Sequence, residues 1–211
     1  MLTLKSGLLI ALEGIDGSGK TTLAKHLTFA LKNQGYPVIH TKEPGGTMLG
    51  KELRSILQIQ KTPVIPLAEF LLFAADRAQH FAQLIIPALE KNQIVISDRL
   101  ADSSIVYQGY GRGLDINMIK TINGWAMQHR EPDITFYIRI PLETSLERLK
   151  NRPALTVFEK EQKTFTLKLI HGFDELFKNK QNSYILDGTQ NPEELTKQAL
   201  VYVESWIQKQ Q

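Results

Sequence analysis

Between its first apolar run and its first helical stretch the chain reads Gly14-Ile15-Asp16-Gly17-Ser18-Gly19-Lys20-Thr21. This fits G-x-x-x-x-G-K-[ST], the pattern of a phosphate-binding loop. Glycines let the backbone come close to a ligand. The loop N–H groups and the positive end of the following helix then point at phosphate oxygens. Lys20 offers a charge for β- and γ-phosphates, and the Thr21 hydroxyl suits magnesium. An ordinary tight turn would need neither a lysine nor a threonine at this spacing.

The elements that must hold this loop are legible around it. Leu8–Leu12 reads as a buried strand leading in. Leu23, Leu27, Ala30 and Leu31 recur at helical spacing over 21–33. Further apolar runs at Val38-Ile39, Ile94–Ile96, Ile134–Ile140 and Tyr184–Leu186 make five short strands in all. Helical patterns separate them at 49–59, 67–91 (broken near Pro87), 115–128, 142–151, 158–178 and 192–209. Such alternation implies an α/β fold: a three-layer arrangement with a five-stranded parallel sheet covered by helices on both faces. The whole chain, 1–211, reads as one domain. Ligands of such folds sit beyond the carboxyl ends of the strands.

Composition narrows the classes. A formal charge of +3, without a Lys/Arg run, suits a small polyanion better than nucleic acid. There is no cysteine for a disulfide or thiolate site, and the five histidines show no ligand spacing. Neither a signal peptide nor a membrane span is visible, so a cytoplasmic protein is expected.

Chemistry-bearing residues follow the strands. Asp98 ends the third strand, where a carboxylate commonly gives magnesium its second support. Arg99 beside it could grip a phosphate; a surface ion pair is the alternative. Glu43-Pro44-Gly45-Gly46-Thr47 follows the second strand. Turn formation explains that composition, and the position favours ligand contact. Phe73 and Arg77 are four apart and share a helix face. They suit an aromatic base, or a core phenylalanine beside a solvated arginine.

Five stretches carry a more specific resemblance: Leu12–Thr22, Thr41–Thr47, Leu71–Arg77, Asp98–Gly109 and Asp187–Gln190. In this order, over nearly the whole chain, they resemble the thymidylate kinases, P-loop enzymes that move the γ-phosphoryl group of ATP onto dTMP. The resemblance implies an ATP site at 14–22, including Ile15, Ser18 and Thr22, with Gly188, Thr189 and Gln190 bordering adenine. It implies a dTMP site in which Phe73 stacks on thymine, Arg77 bonds its carbonyl edge and Arg99 holds the monophosphate. Asp16 reaches the deoxyribose or acceptor side. Glu43, Pro44, Ser103, Ser104, Tyr107 and Gln108 complete that pocket, with Tyr107 where the family excludes a 2′-hydroxyl. Magnesium would sit between Thr21 and Asp98. Lys20, Arg99, Asp16 and Arg152 would be catalytic, and the protein would be a homodimer.

The bacterial lid pattern is only partly kept, over a short lid at about 149–159. Leu146, Arg148, Arg152 and Glu159 match, whereas Thr156-Val157 replaces an Asp-Arg pair, and Gly17 stands where some members carry a loop arginine. Members without that arginine draw one from the lid, which points to Arg152 first and Arg148 second. The acceptor is itself a phosphate with a pKa near ~6, so it needs no general base. Alignment and charge neutralisation suffice. The alternatives are another nucleoside monophosphate kinase, a deoxynucleoside kinase using Glu13 or Glu43 as base, and a non-enzymatic P-loop binding module. The guanine-reading Asn-Lys-x-Asp motif is absent.

Overall fold

The computed structural model describes residue 2 and residues 4–59, 64–150 and 163–210. Five parallel strands, β1 (Leu8–Glu13), β2 (Val38–Lys42), β3 (Ile94–Asp98), β4 (Ile134–Arg139) and β5 (Ser183–Asp187), form one sheet in the order β2-β3-β1-β4-β5. β1 lies at the centre with all six residues buried. Its register sets Leu12 opposite Asp98 and Glu13 opposite Tyr137. The ends of β1, β3 and β4 therefore arrive together at one edge.

Alternate residues of each strand point to opposite faces. Leu8, Ile10 and Leu12 pack with Ile94, Ile96 and Phe136 under α1 (Lys20–Asn33) and α9 (Pro192–Gln210). Leu9, Ala11 and Val95 face the other way, onto Phe81, Ile85 and Leu89. Both faces being dry explains why the central strands read as unbroken apolar runs. No helix among the described residues is long and apolar enough to cross a membrane.

The remaining helices are α2 (Met48–Ile59), α3 (Pro66–His80), α4 (Ile86–Glu90), α5 (Ala101–Ser104), α6 (Ile116–Ala126), α7 (Leu142–Lys150) and α8 (Lys163–Phe177). The break expected near Pro87 is absorbed earlier. Phe81–Ile85 widens into π-turns, and Pro87 falls in the first turn of α4, directly after them. The helix formed by α5 and the π-turns of Ile105–Gly111 was not expected from the sequence. Residues 101–109 are all buried, so no polar face marks a helical period. Of the expected lid, Leu149 and Lys150 end α7; 151–159, with Arg152, Thr156, Val157 and Glu159, lie outside the described residues.

Phe173 ties the helical layer to the cleft. It stacks on Tyr137 at 5.2 Å and meets Tyr107 edge-on at 6.5 Å. Phe173→Ala is expected to destabilise the fold by about 3–5 kcal/mol, read as a lowered midpoint in urea unfolding.

Candidate active site

A cleft of about 980 Å³ opens at the carboxyl edge of the sheet. The loop after β1 forms its floor. Gly14 has φ +142, and a Cβ there would meet the Ile138 carbonyl oxygen at 2.5 Å. Gly19, with φ +102, occupies the N-cap of α1 without a side-chain cap, so the first N–H groups of the helix are left for a ligand. Residues 16–22 all line the cleft. Gly14 and Ile15 instead serve from behind. Ile15 sits in an apolar cluster, while the carbonyls of both residues accept from Lys20 Nζ at 3.0 and 2.8 Å. Ser18 Oγ takes a third bond at 3.3 Å. Lys20 is buried, and burial, then the Arg99 charge, pull its pKa down to about 8 against Asp16, Asp98 and Glu13.

The loop after β3 supplies the opposing cation. Arg99 has φ +76, a left-handed conformation rare for a side-chain-bearing residue. It turns the guanidinium back over the floor. Nη1 donates to Gly14 O and Ser103 Oγ, each at 2.9 Å, and Nη2 donates to Asp16 Oδ1 at 2.5 Å and Tyr107 Oη at 3.2 Å. Tyr107 donates in turn to Asp16 Oδ2 at 3.2 Å. Burial alone would raise the Asp16 carboxyl. The charges of Arg99 and Lys20 and the hydrogen bonds from Arg99 and Tyr107 override it and hold the pKa below the ordinary value. Burial likewise opposes the Arg99 charge, but Tyr107, Asp16, Asp98 and Glu13 raise its pKa above normal. Beside this group the Thr21 hydroxyl donates to Asp98 Oδ2 at 2.5 Å. These are two hard oxygens of the kind magnesium takes.

Away from the floor, Phe73, Arg77, Glu43, Pro44, Ser104 and Gln108 line a second end of the same cleft. Arg77 is 1% exposed, so it is no solvated arginine. Nε donates to Glu43 Oε2 at 2.9 Å, Nη1 to Asn123 Oδ1 at 2.7 Å, and Nη2 to Leu100 O and Ser104 Oγ at 3.2 and 3.1 Å. Glu43 Oε1 lies 3.0 Å from His80 Nδ1, whose Nε2 lies 2.7 Å from Thr41 Oγ. Both Glu43 oxygens are thus spent on holding Arg77 and His80. Asp76 Oδ1 accepts from Gly45 N at 3.0 Å, and Oδ2 is buried without a partner among the described residues. Burial, then the Glu43 charge, raise Asp76 to about 6.

At the opposite end lie Gly188, Gln190 and Arg148. Arg148 donates to Gly17 O at 3.1 Å and Gly188 O at 2.9 Å, joining the floor to the last loop. Thr189 turns outward, its N and Oγ both donating to Asp187.

Sequence reasoning missed Glu69, His80 and Asn123, which are buried and polar. On α6 Asn123 shares its buried side with Ile119 and Ala126, and a polar residue on that stripe was the signal available. On α3 the buried side itself is mostly polar or charged, with Asp76 and Arg77 beside Glu69 and His80 and only Phe70 and Ala74 apolar, so no such contrast marked it. Glu13 was weighed only as a base. It is fully buried, with Oε1 accepting from Leu100 N and Ser103 N at 2.9 and 3.3 Å and Oε2 from Ser103 Oγ at 2.5 Å. It pins the start of α5 against the end of β1.

Known proteins place this geometry. The Thymidylate kinase family model matches residues 12–199. A thymidylate kinase of Halothermothrix orenii is 44% identical over 192 residues, covering 90% of this chain and 92% of that protein. One of Carboxydothermus hydrogenoformans is 43% identical, covering 90% and 93%. The crystal structure of thymidylate kinase from Ehrlichia chaffeensis superimposes with a TM-score of 0.76 at 31% identity, over 93% of this chain and 98% of that one.

Burial, then the nearby Asp102 charge, raise Glu13 from 4.5 to about 7. Between these values the folded protein holds a proton that the unfolded chain has lost, so stability falls as pH rises. Urea unfolding at pH 5 and pH 8 is expected to show wild type losing stability relative to Glu13→Gln as the pH increases.

Proposed function

Because this chain belongs to the thymidylate kinase family, and is thereby a phosphotransferase carrying the γ-phosphoryl group of ATP to dTMP, we propose a role for each part of its cleft. The reading rests on one observation: Lys20, buried at the start of α1, and Arg99, half-buried on the loop after β3, bring two cations to the same cleft beside the P-loop.

ATP phosphates take the place of the carbonyls that now accept from Lys20, with the loop N–H groups from Gly17 to Thr22 around them. Adenine lies toward Gly188 and Gln190. The dTMP phosphate takes Arg99 and Ser103, and thymine lies on Phe73 within reach of Arg77. Of the five guanidinium N–H groups of Arg77, four hydrogen bonds to protein are in place, leaving one for the base edge. Asp16 and Tyr107 sit between, on the deoxyribose side. The oxygens of Thr21 and Asp98 fit magnesium, which when bound neutralises β- and γ-phosphate charge.

The acceptor is an ionised phosphate oxygen, so no residue need take a proton from it. The residues act by alignment and by opposing the charge that spreads over the transferring group. Arg148 is poised over Gly17, and Arg152 is the lid's candidate for the same work. The whole chain, 1–211, works as one domain with 149–159 as its lid, in the cytoplasm, where free ATP and magnesium are abundant.

The enzyme works as a homodimer. Leu49 and Ile56 on α2, Leu67 and Leu71 on α3 and Trp125 on α6 are exposed on helices that pack side by side, a surface suited to a second copy.

ADP release across a panel of nucleoside monophosphates is expected to be fastest with dTMP; phosphorylation of thymidine in its stead would overturn the reading. Lys20→Ala is expected to lower kcat by about 10³-fold or more while the thermal midpoint holds. Arg152→Ala is expected to lower kcat by at least about 100-fold. If it does not, and Arg148→Ala does, the donor-side role belongs to Arg148.

A further inference from the structure

The mechanism leaves the buried carboxylate of Glu69, at the acceptor end, without a task. Glu69 lies one helical turn before Phe73 and two before Arg77, on the same face of α3. It is 2% exposed. Its Oε1 accepts from the Gln108 side-chain amide at 2.9 Å. Arg112 donates to both Glu69 oxygens, at 3.4 and 3.5 Å. One turn away from Gln108, Ser104 Oγ accepts from Arg77 at 3.1 Å. Two rungs, Glu69–Gln108 and Arg77–Ser104, therefore join α3 to the 101–111 helix. Phe73 stands midway between them in helical register, and both Phe73 and Gln108 line the cleft.

A side-chain amide has a donor end and an acceptor end, and either could meet a ligand. A carboxylate paired with a guanidinium has only acceptors to offer. Gln108 must therefore turn its NH₂ toward Glu69, which leaves its carbonyl oxygen for the cleft. The base edge beside Phe73 then faces an acceptor from Gln108 and a donor from Arg77. Thymine presents the complement, an N3–H donor beside the O4 acceptor. Cytosine presents the reverse, a bare N3 beside an NH₂.

We infer that Glu69 is a positioning residue for pyrimidine choice, fixing the Gln108 amide so that its carbonyl meets the base and cytosine is refused. The inference rests on the thymine end proposed above. It adds a residue that never touches the substrate.

The test compares wild type, Glu69→Gln and the double variant Glu69→Gln/Gln108→Glu by coupled ADP release with dTMP and with dCMP. A glutamine at 69 can donate as well as accept, so Gln108 is free to present either end. The kcat/KM ratio of dTMP to dCMP is expected to fall by roughly ten- to a hundredfold, the range of one buried hydrogen bond made or left unmade. The fall should come through the KM for dTMP, with the KM for ATP unchanged. In the double variant the carboxylate at 108 can only accept, and the preference should return to within about threefold of wild type. A merely structural role would lower both pyrimidines in parallel, and an unchanged ratio in Glu69→Gln overturns the inference. So does a double variant that stays unselective. Should Glu69→Gln fail to fold, Glu69→Asp takes its place; its carboxylate, one methylene shorter, withdraws the acceptor from Gln108, and the same fall is expected. A wild-type enzyme with no preference for dTMP would instead fail the thymine reading itself.

Discussion

Cations have been taken out of water at the carboxyl edge of the sheet, and everything around them answers to that. A buried charge is tolerated only when it is paired and hydrogen-bonded. Arg99 is met by Asp16 and by the Gly14 carbonyl, Arg77 by Glu43, and Lys20 by three oxygens of its own loop. Two kinds of partner are used. Arg77 and Glu43 form a permanent pair, each almost wholly buried and each also held from a third side. Lys20 is held by carbonyls and a hydroxyl alone, neutral groups that a phosphate oxygen can displace at little loss. Charge is thus stored at one end of the cleft and kept exchangeable at the other.

The sheet turns this electrostatic requirement into geometry. Register brings Leu12 level with Asp98, so the P-loop and the Asp98-Arg99 loop leave the edge side by side. The left-handed backbone at Arg99 then folds its guanidinium back over the floor, with Arg99 N bonded to Leu12 O at 3.0 Å. Strained backbone of this kind persists where the surroundings over-determine it, and Arg99 makes four side-chain bonds. Glu13 extends the device by one layer. From the end of β1 it holds Leu100 and Ser103, and so places Tyr107 and Gln108, which follow on the same helix.

Much of this was written in local patterns. The phosphate loop is a contiguous run of residues whose spacing is set by the ligand. The three central strands are dry on both faces or nearly so and read as apolar runs, and the two edge strands keep shorter ones. Asp98, Arg99 and Lys20 stand where a strand or loop ends, positions that topology alone makes functional. The helix over 101–111 was illegible for the opposite reason, since burial on every side erases the periodicity by which helices are recognised. Phe73 and Arg77 showed a shared face but not what lay across from it, and so two readings of Arg77 stood side by side.

The sequence by itself determined the kind of ligand, the succession of the five strands along the chain, and the edge of the sheet where chemistry gathers. Each of those depends on neighbours along the chain or on a repeat of two or 3.6 residues. Tertiary structure alone decided which carboxylate answers which donor. Glu13 meets Ser103, Asp16 meets Arg99, Glu43 meets Arg77 and Glu69 meets Gln108, partners 90, 83, 34 and 39 positions apart. No local pattern encodes such pairs. They exist because folding drives these groups out of water together, where each must find the other.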